Sequence, residues 1–251
     1  MEQGNRTLYR GLQMLNLISL HPEGLTLQQL ADCLQCPKSS AHNLVHTLED
    51  TGFVRMNTQH RYVLTFRTYE IGARAVQDTD VGHEMRRAMR EAFEACNETM
   101  HSGIRSGNEV LYIDKIESTQ SIRMSSKIGM RLPLHCTAMG KAFLSQMDDD
   151  AICTLYPDEQ LPVMTPHTVS TRTELLSQVH RFRDLGYAME NEENTENVSC
   201  IAVCVSEHDH APVYALSFSI PSFRMTEEKQ VACVSLLQHA KAQIEQVLAL
   251  L

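Results

Sequence analysis

The chain contains 251 residues, of which 43% are hydrophobic, and this is enough for two domains with separate cores. No segment approaches the roughly 18 to 20 apolar residues of a membrane-spanning helix, and the first residues contain no signal-peptide core, so we expect a cytoplasmic protein without membrane contact. The eight cysteines are scattered, which favours a reducing compartment over a disulfide framework. The net charge of −9 excludes a uniformly basic protein, yet residues 1–66 are neutral, with five cations and five anions.

The first predicted element is an amphipathic helix, because Leu8, Leu12, Leu15 and Ile18 recur at helical spacing. The sequence His-Pro-Glu-Gly at 21–24 is typical of the turn that ends such a helix. We expect this helix to pack behind the next two helices and to offer a surface for a dimer contact.

A second helix is predicted to begin at Thr26, which forms the signature of a capping box with Gln29. Leu25 and Leu30 flank this box as a hydrophobic staple, which fixes the direction in which the chain enters the helix. Pro37 suits the first position of a third helix, where its missing N–H is not needed.

The third helix has two chemically different faces. The face predicted to be buried carries Ala41, Leu44, Val45 and Leu48, and Gly52 follows where a left-handed residue ends a helix. The opposite face carries Ser39, His42, Asn43 and His46, a polar edge without carboxylates. Two extended runs, 53–56 and 61–64, surround the turn-prone sequence Asn-Thr-Gln-His and predict a hairpin.

A hairpin directly after such a helix pair is typical of a winged helix-turn-helix, in which the third helix enters the major groove of double-stranded DNA. The candidate DNA contacts are Arg10, Lys38, Ser39, Ser40, His42, Asn43, His46, Arg55 and Arg61. The alternative is a helical pair and a hairpin that only pack against each other. With so few cations, one copy should bind weakly and with strong salt dependence, so we expect a homodimer or homotetramer.

Residues 67–80 are predicted to form a linking helix, and the pattern then changes to an α+β domain over 81–251. Its predicted helices are 81–98, 137–147, 149–155, 171–185 and 226–250, and its predicted strands are 99–105, 109–116, 121–124, 187–190, 199–206 and 213–220. This order is typical of a sensor domain with a sheet between helices.

Five blocks of the sequence resemble the IclR family of transcriptional regulators, in the same order and at nearly the same spacing. They are CPKSSAHNLVHTLEDTGFV, RLPLHCTAMGKAFL, GYAMENEEN, SCIAVCV and ALSFSIPSFRMT. The resemblance implies a GAF-like α/β effector-binding and oligomerisation domain after the winged helix, and a near-palindromic operator. It also implies a small carboxylate effector. Asn43 stands where the family usually has Arg, and because Asn bonds adenine, we expect an unusual operator preference.

The resemblance also implies where the effector is held. The backbone of Ala138 and Met139, at a helix N-terminus, aligns with the donors for the effector carboxylate, which is physically sound because such a terminus attracts anions. The side chains that align with effector contacts are Glu190, Cys200, Ser217 and Ser219. This set suits a sugar acid or a keto acid, and Met139 is expected to narrow the pocket.

Several alternatives remain open for these residues. Ser217 and Ser219 could be satisfied sheet residues, Cys200 and Cys204 could be core residues, and Glu190 could belong to a solvated acidic run over 190–196. We expect no metal and no cofactor, and we interpret the pairs Cys33/Cys36 and His208/His210 as structural and loop residues. The neighbours His135 and Cys136 lack the context of a nucleophile and its base, so no catalysis is expected.

Three functions are therefore considered. The first is a regulator, expected to be a repressor, of a catabolic operon, controlled by a sugar acid or keto acid. The second is an activator of aromatic-acid catabolism with the same architecture. The third is an enzyme or sensor that uses the winged helix only for protein contacts.

Overall fold

The computed structural model describes residues 5–77, 80–206 and 212–250, apart from the side chains of residues 73–77, 80 and 212. The chain divides into two compact units at residues 79 and 80. Within the described ranges, no helix combines the length and apolar character needed to cross a membrane. The predicted domain boundary at residue 66 and the linking helix over 67–80 stay predictions, and residues 78 and 79 lie outside the described residues.

The N-terminal unit is a helical head with a small hairpin. Its elements are α1 (Arg6–Ser19), α2 (Leu27–Cys33), α3 (Lys38–Asp50), β1 (Val54–Met56), β2 (Tyr62–Leu64) and α4 (Phe66–Gln77). Both halves of the capping box predicted at Thr26 and Gln29 are present at the start of α2. Pro37 is the cap of α3 rather than its first residue, and Gly52 has the left-handed conformation, with φ of +77°.

The apolar stripe predicted for α1 is buried only in its second half. Leu8 and Leu12 are 62% and 58% exposed, whereas Met14 and Ile18 are buried in the core of the unit. Successive residues of a helix are rotated by about 100°, so Met14 and Ile18 share a face with Gly11 rather than with the first two leucines. Gly11 lies against α3, where an added Cβ would be 4.0 Å from the side chain of Leu44. The helix therefore turns Gly11, Met14 and Ile18 inward, and its first two leucines face solvent.

The hairpin is held by backbone and side-chain bonds at both ends. β1 and β2 pair in antiparallel register, and Leu25 exchanges two backbone hydrogen bonds with Tyr62, at 3.1 and 2.8 Å. In the turn, the Oδ1 of Asn57 accepts hydrogen bonds from the backbone N–H groups of Gln59 and Arg61. This Asx turn is the local reason that the chain reverses where the sequence predicts it.

The C-terminal unit is a six-stranded antiparallel sheet between two layers of helices. Its elements are α5 (Asp80–Cys96), β3 (Thr99–Ser106), β4 (Glu109–Ile116), β5 (Arg131–Pro133), α6 (Ala138–Ser145), α7 (Asp149–Leu155), α8 (Arg172–Leu185), β6 (Ala188–Asn191), β7 (Val198–Ser206), β8 (Pro212–Pro221) and α9 (Glu227–Leu248). The strand order is β5-β4-β3-β8-β7-β6.

The strand predicted over 121–124 does not form. The outer edge of β4 pairs with β5, and Tyr112 of β4 exchanges backbone hydrogen bonds with Gly129 and Met130. Because that edge is already paired, residues 121–124 form an irregular loop, in which Met124 turns inward and is buried.

Alternation along the strands assigns each side chain to one of the two layers. Along β7, Ile201, Val203 and Val205 pack with α5 and α9, whereas Cys200 and Cys204 join the core formed with α6, α7 and α8. On β8, Ser217 pairs with Ala202 and Ser219 pairs with Cys200, so both serines face the same layer. The polar residues predicted to contact the effector are therefore on the face of the sheet that α6 covers.

Candidate functional site

The outward face of α3 is the first candidate site. Ser39, His42, Asn43 and His46 are all exposed, as is Lys38, and Ser40 is half-buried. The opposite face supplies Ala41 and Val45 to the core of the head. The polar edge is therefore exposed to solvent, as predicted from its spacing.

A carboxylate lies at the far end of this edge. The Nδ1 of His46 donates to the carboxylate of Asp50 at 2.8 Å. In a neutral imidazole this leaves Nε2 as an acceptor. Ser39, His42 and Asn43 form the part of the edge that lies before this contact.

The predicted arginines occupy different environments. Arg55 is exposed on the hairpin, and Arg10 is half-buried on α1. The Nη1 of Arg61 donates to the carbonyl of Gly24 at 3.1 Å, so this guanidinium ties the hairpin to the turn before α2. Arg55 is accordingly the better placed of the two hairpin arginines to meet a phosphate.

The second candidate site is a narrow cavity between the sheet and the start of α6. About 10 Å³ of it is open to the centres of water molecules, which is room for about one water. It is lined by Tyr112, Met124, Thr137, Ala138, Met139, Glu190, Asn194, Thr195, Val198, Cys200 and Ser217. Five of the six residues predicted to contact the effector are thus brought together. The sixth, Ser219, lies beside them, with its Oγ 3.4 Å from the Sγ of Cys200.

The backbone of α6 is placed at the cavity by its first turn. The hydroxyl of Thr137 accepts a hydrogen bond from the N–H of Gly140 and donates to the carbonyl of Pro133. A Cβ on Gly140 would lie 2.2 Å from the carbonyl oxygen of Leu134, so only glycine allows this close approach. As in every helix, the first N–H groups have no acceptor within the helix, and here they belong to Ala138 and Met139.

The carboxyl group of Glu190 is buried, so this residue is not part of a solvated acidic run. It is 3% exposed and lies opposite Cys200 in the sheet, and its Oε2 accepts a hydrogen bond from the N–H of Glu193 at 2.8 Å. Burial raises the pKa of Glu190 to about 7, although contacts with Cys200 and Glu193 act in the opposite direction. Of the same run, Glu196 is exposed. The carboxyl of Glu190 is therefore partly protonated near pH 7.

A buried ion pair beside the cavity was missed in the sequence analysis. Lys141 of α6 is fully buried and donates to the carboxylate of Glu193, which also accepts from the N–H of Val169 at 3.3 Å. Burial lowers the pKa of Lys141, while Glu193 raises it. A lysine inside the apolar sequence AMGKAFL was the signal that could have revealed it.

His101 forms a second layer of polar contacts below the cavity, and it was also missed. Its ring stacks on Tyr112 at 4.4 Å, its Nε2 lies 2.7 Å from the Oγ of Ser126, and its Nδ1 lies 3.4 Å from the Oγ of Ser219. Burial lowers the pKa of His101 to about 3, so the ring is neutral. The Oγ of Ser219 thus lies between His101 and Cys200, behind the wall of the cavity.

The geometry of the thiols argues against nucleophilic chemistry. Burial raises the pKa of Cys136 to about 12, and its Sγ lies 3.7 Å from the Oδ1 of Asn194. The Nε2 of His135 donates to the carbonyl of Pro162 at 2.8 Å, and the contact recorded for the Sγ of Cys136 is with Asn194 rather than with His135. Cys204 lies in the core, as one of the two interpretations held.

In the described part of the chain, no three His, Cys, Asp or Glu side chains come together as candidate metal ligands. His208 and His210 lie outside the described residues.

Comparison with known proteins finds family models that match both units of the chain. A family model described as "Bacterial transcriptional regulator IclR C-terminal" matches residues 73–246, and one described as "IclR helix-turn-helix domain" matches residues 7–57. The chain is 32% identical over 219 residues to the HTH-type transcriptional regulator KdgR of Dickeya chrysanthemi, covering 87% of this chain and 72% of that protein.

Two further comparisons cover nearly the same span. The chain is 28% identical over 227 residues to the transcriptional repressor IclR of Escherichia coli, covering 89% of this chain and 83% of that protein. It also matches the crystal structure of an IclR homologue from Microbacterium hydrocarbonoxydans complexed with 4-hydroxybenzoate. The TM-score is 0.86, the sequence identity is 20%, and the match covers 98% of this chain and 100% of that chain. This last likeness is one of fold.

Proposed function

Because the chain belongs to the IclR family of DNA-binding transcriptional regulators, we propose that it represses a catabolic operon in the cytoplasm and that a small organic acid controls this repression. The family is one of regulators and not of enzymes, and the fold is the expected one, a winged helix-turn-helix followed by an α/β domain. The alternative in which the winged helix serves an enzyme is therefore set aside.

The observation that carries the DNA-binding part is the outward, uncharged face of α3. Ser39, His42 and Asn43 are exposed together, and hydroxyl, imidazole and amide groups can bond to base edges. Arg55 on the hairpin supplies charge for the phosphates beside the groove. We propose that these residues, with Arg10, Lys38, Ser40, His46 and Arg61, form the DNA contact.

We propose that two or four copies bind a near-palindromic operator together. The described head carries few cations, so one head gains little from counterion release, and affinity must come from several heads acting at once. The exposed Leu8 and Leu12 of α1 offer an apolar surface that a second copy would cover.

The effector is proposed to bind in the cavity at the start of α6. Its carboxylate would accept hydrogen bonds from the N–H groups of Ala138 and Met139, and its oxygens would meet Glu190, Cys200 and Ser217, with Ser219 behind them. With room for about one water, the cavity must widen to admit even a small acid, and Met124 and Met139 are the flexible side chains in its wall. A compact sugar acid or keto acid requires the least widening. An aromatic acid is the alternative, because a homologue is complexed with 4-hydroxybenzoate.

DNA binding is tested with the full chain and a pool of random duplexes. We expect selection of an inverted repeat, with affinity that falls steeply between 50 and 200 mM salt. A Ser39→Glu variant should lose on the order of tenfold or more in affinity, because it places a carboxylate against the DNA. Ser121→Glu is the control. It makes the same charge change at an exposed site in the other unit and should not lower the affinity. Failure to bind any duplex at low salt refutes the proposal, and equal effects of the two variants refute the role of α3.

Effector binding is tested by thermal melting of the full chain with panels of sugar acids, keto acids and aromatic acids. A ligand at about 100 times its Kd stabilises the folded state by about 2.7 kcal/mol, which corresponds to about 5 to 10 °C in a domain of this size. A shift with aromatic acids alone would establish the alternative effector class. No shift with any carboxylate would refute the effector proposal but leave DNA binding intact.

A further inference from the structure

Two cysteine side chains face each other in the helical layer on the side of the sheet away from the cavity. Cys96 is the last residue of α5, Cys233 lies in α9, and their sulfur atoms are 3.2 Å apart. Both thiols are free. We propose that Cys96 and Cys233 form a peroxide-reactive dithiol that closes to an intramolecular disulfide joining α5 to α9.

The two thiols have the unequal environments that such a reaction needs. Cys96 is half-buried and open to a small oxidant, whereas Cys233 is fully buried. The Nζ of Lys229 donates to the backbone carbonyl of Cys96 at 3.0 Å and lies 3.4 Å from the carboxylate of Glu98. A cation is thus held beside Cys96, where it favours the thiolate, the form that attacks peroxides.

The pKa values of Cys96 and Cys233 also differ, one being lowered and the other raised. The hydrogen bond from Cys233, with the charge of Lys229, lowers the pKa of Cys96 to about 7, against the opposing effects of burial and Glu98. The pKa of Cys233 is raised, chiefly by the same hydrogen bond, so Cys233 keeps its proton. At pH 7 Cys96 then contains on the order of tenfold more thiolate than an unperturbed cysteine.

The cysteines around the cavity differ from this pair. Burial raises the pKa of Cys136, Cys200 and Cys204, which keeps those thiols protonated and slow to react. Oxidation at low peroxide should therefore select Cys96 and leave the cavity unchanged.

The reaction balances with hydrogen peroxide as the two-electron oxidant. The thiolate of Cys96 attacks one peroxide oxygen, the O–O bond breaks, and the leaving hydroxide takes a proton to become water. The sulfur of Cys233 then attacks the sulfenic sulfur of Cys96, the S–O bond breaks, and the departing hydroxide takes the thiol proton of Cys233. Two thiols are oxidised to one disulfide, and one peroxide is reduced to two waters.

The disulfide is directly detectable after tryptic digestion of the full-length protein. Cleavage after arginine and lysine places Cys96 in the peptide 91–105 and Cys233 in the peptide 230–241, each with a single cysteine. After brief treatment with dilute peroxide and alkylation of the remaining thiols, we expect these two peptides to appear cross-linked, with a mass two hydrogens below their sum. We expect the oxidised protein to melt about 5 °C or more above the reduced protein.

Single variants separate the two roles. In Cys233→Ser the sulfenic acid of Cys96 should persist and be trapped by a cyclic 1,3-diketone, and in Cys96→Ser the thiol of Cys233 should stay reduced at the same peroxide concentration. Cys153→Ser, a change at a partly exposed cysteine of α7, should oxidise like the wild type.

Three results would overturn the proposal. The first is an oxidised protein in which peptides 91–105 and 230–241 remain separate, with Cys96 unmodified or converted to the sulfinic acid. The second is oxidation of Cys233 in the Cys96→Ser variant. The third is a rise in melting temperature on oxidation that survives in both single variants, since the cross-link would then not be its cause.

Discussion

Replacing Glu190 with Gln tests whether the cavity contains a carboxyl group with a raised pKa that is partly protonated near neutral pH. The residue is 3% exposed, and burial is the main reason that its pKa is raised from 4.5 to about 7. Between these two pH values the folded protein binds one proton more than the unfolded chain. The stability that this proton provides is complete at low pH and is lost as the pH rises through 7.

The magnitude follows from the pKa difference. A change from 4.5 to about 7 corresponds to about 3 kcal/mol, and most of it falls between pH 5 and 8. The Gln variant cannot ionise. The difference between its free energy of unfolding and that of the wild type should therefore increase by about 2 to 3 kcal/mol as the pH rises from about 5 to 8. In a domain of this size, that is about 5 to 10 °C in melting temperature.

The assay is thermal or urea unfolding of both proteins from pH 5 to 8 without ligand. His101, whose pKa is lowered to about 3, has the opposite effect, because it costs stability as the pH falls below about 6.5. Both proteins contain His101, so the difference between them isolates Glu190.

A matched control comes from the same acidic run. Glu196→Gln removes an exposed carboxylate and should leave the pH profile of the wild type almost unchanged. If Glu190→Gln and Glu196→Gln show the same profile, Glu190 is solvated in solution and the reasoning about the buried carboxyl is wrong.

Three further predictions concern the two sites and the fold. Asn43→Ala should cost about 1 to 3 kcal/mol of discrimination at one base position of the selected operator, and an equal loss for all sequences would make Asn43 a positioning residue instead. The double change Ser217→Ala and Ser219→Ala should preserve operator binding but abolish the response to the effector, and a normal response would place the effector elsewhere. Gly140→Ala should destabilise the C-terminal unit by about 2 kcal/mol or more in urea unfolding, because its Cβ would collide with backbone. Gly72→Ala, at an exposed helical position with open space, should instead stabilise α4 by up to about 1 kcal/mol; the reverse order would contradict the packing argument.

The elements that the sequence predicted well are those with local signals. The capping box at Thr26, the left-handed Gly52 and the Asx turn at Asn57 each depend on a few neighbouring residues, so they can be read directly. Which residues of the apolar stripe of α1 are buried could not be predicted, because the buried side of a helix depends on what covers it, and a glycine at the contact leaves no hydrophobic signal. The strand predicted at 121–124 failed because that edge of the sheet is taken by residues farther along the chain.

In the candidate cavity, too, the features set by neighbouring residues could be predicted, and those set by distant residues could not. Its serines and thiol could be grouped because alternate residues of a strand share a face, which is a local rule. The burial of Glu190 could not be predicted, because the run around it is acidic and its environment comes from β7 and α6. The apolar sequence around Lys141 indicates a buried lysine, but its partner Glu193 is 52 residues away, and no local signal identifies it.

The charges around the cavity restrict the kind of acid that it can hold. Among the described residues that line it, no side chain is cationic, and the nearby Lys141 is already paired with Glu193. A bound carboxylate would therefore be balanced by the N–H groups at the start of α6 and by the proton that burial keeps on Glu190 near pH 7. One negative charge can be accommodated in this way, whereas a second would meet no counter-charge and would have to be buried at high cost. If the effector binds here as proposed, we expect a monocarboxylate whose other oxygens are neutral, such as a hydroxy or keto acid, to bind more tightly than a dicarboxylate.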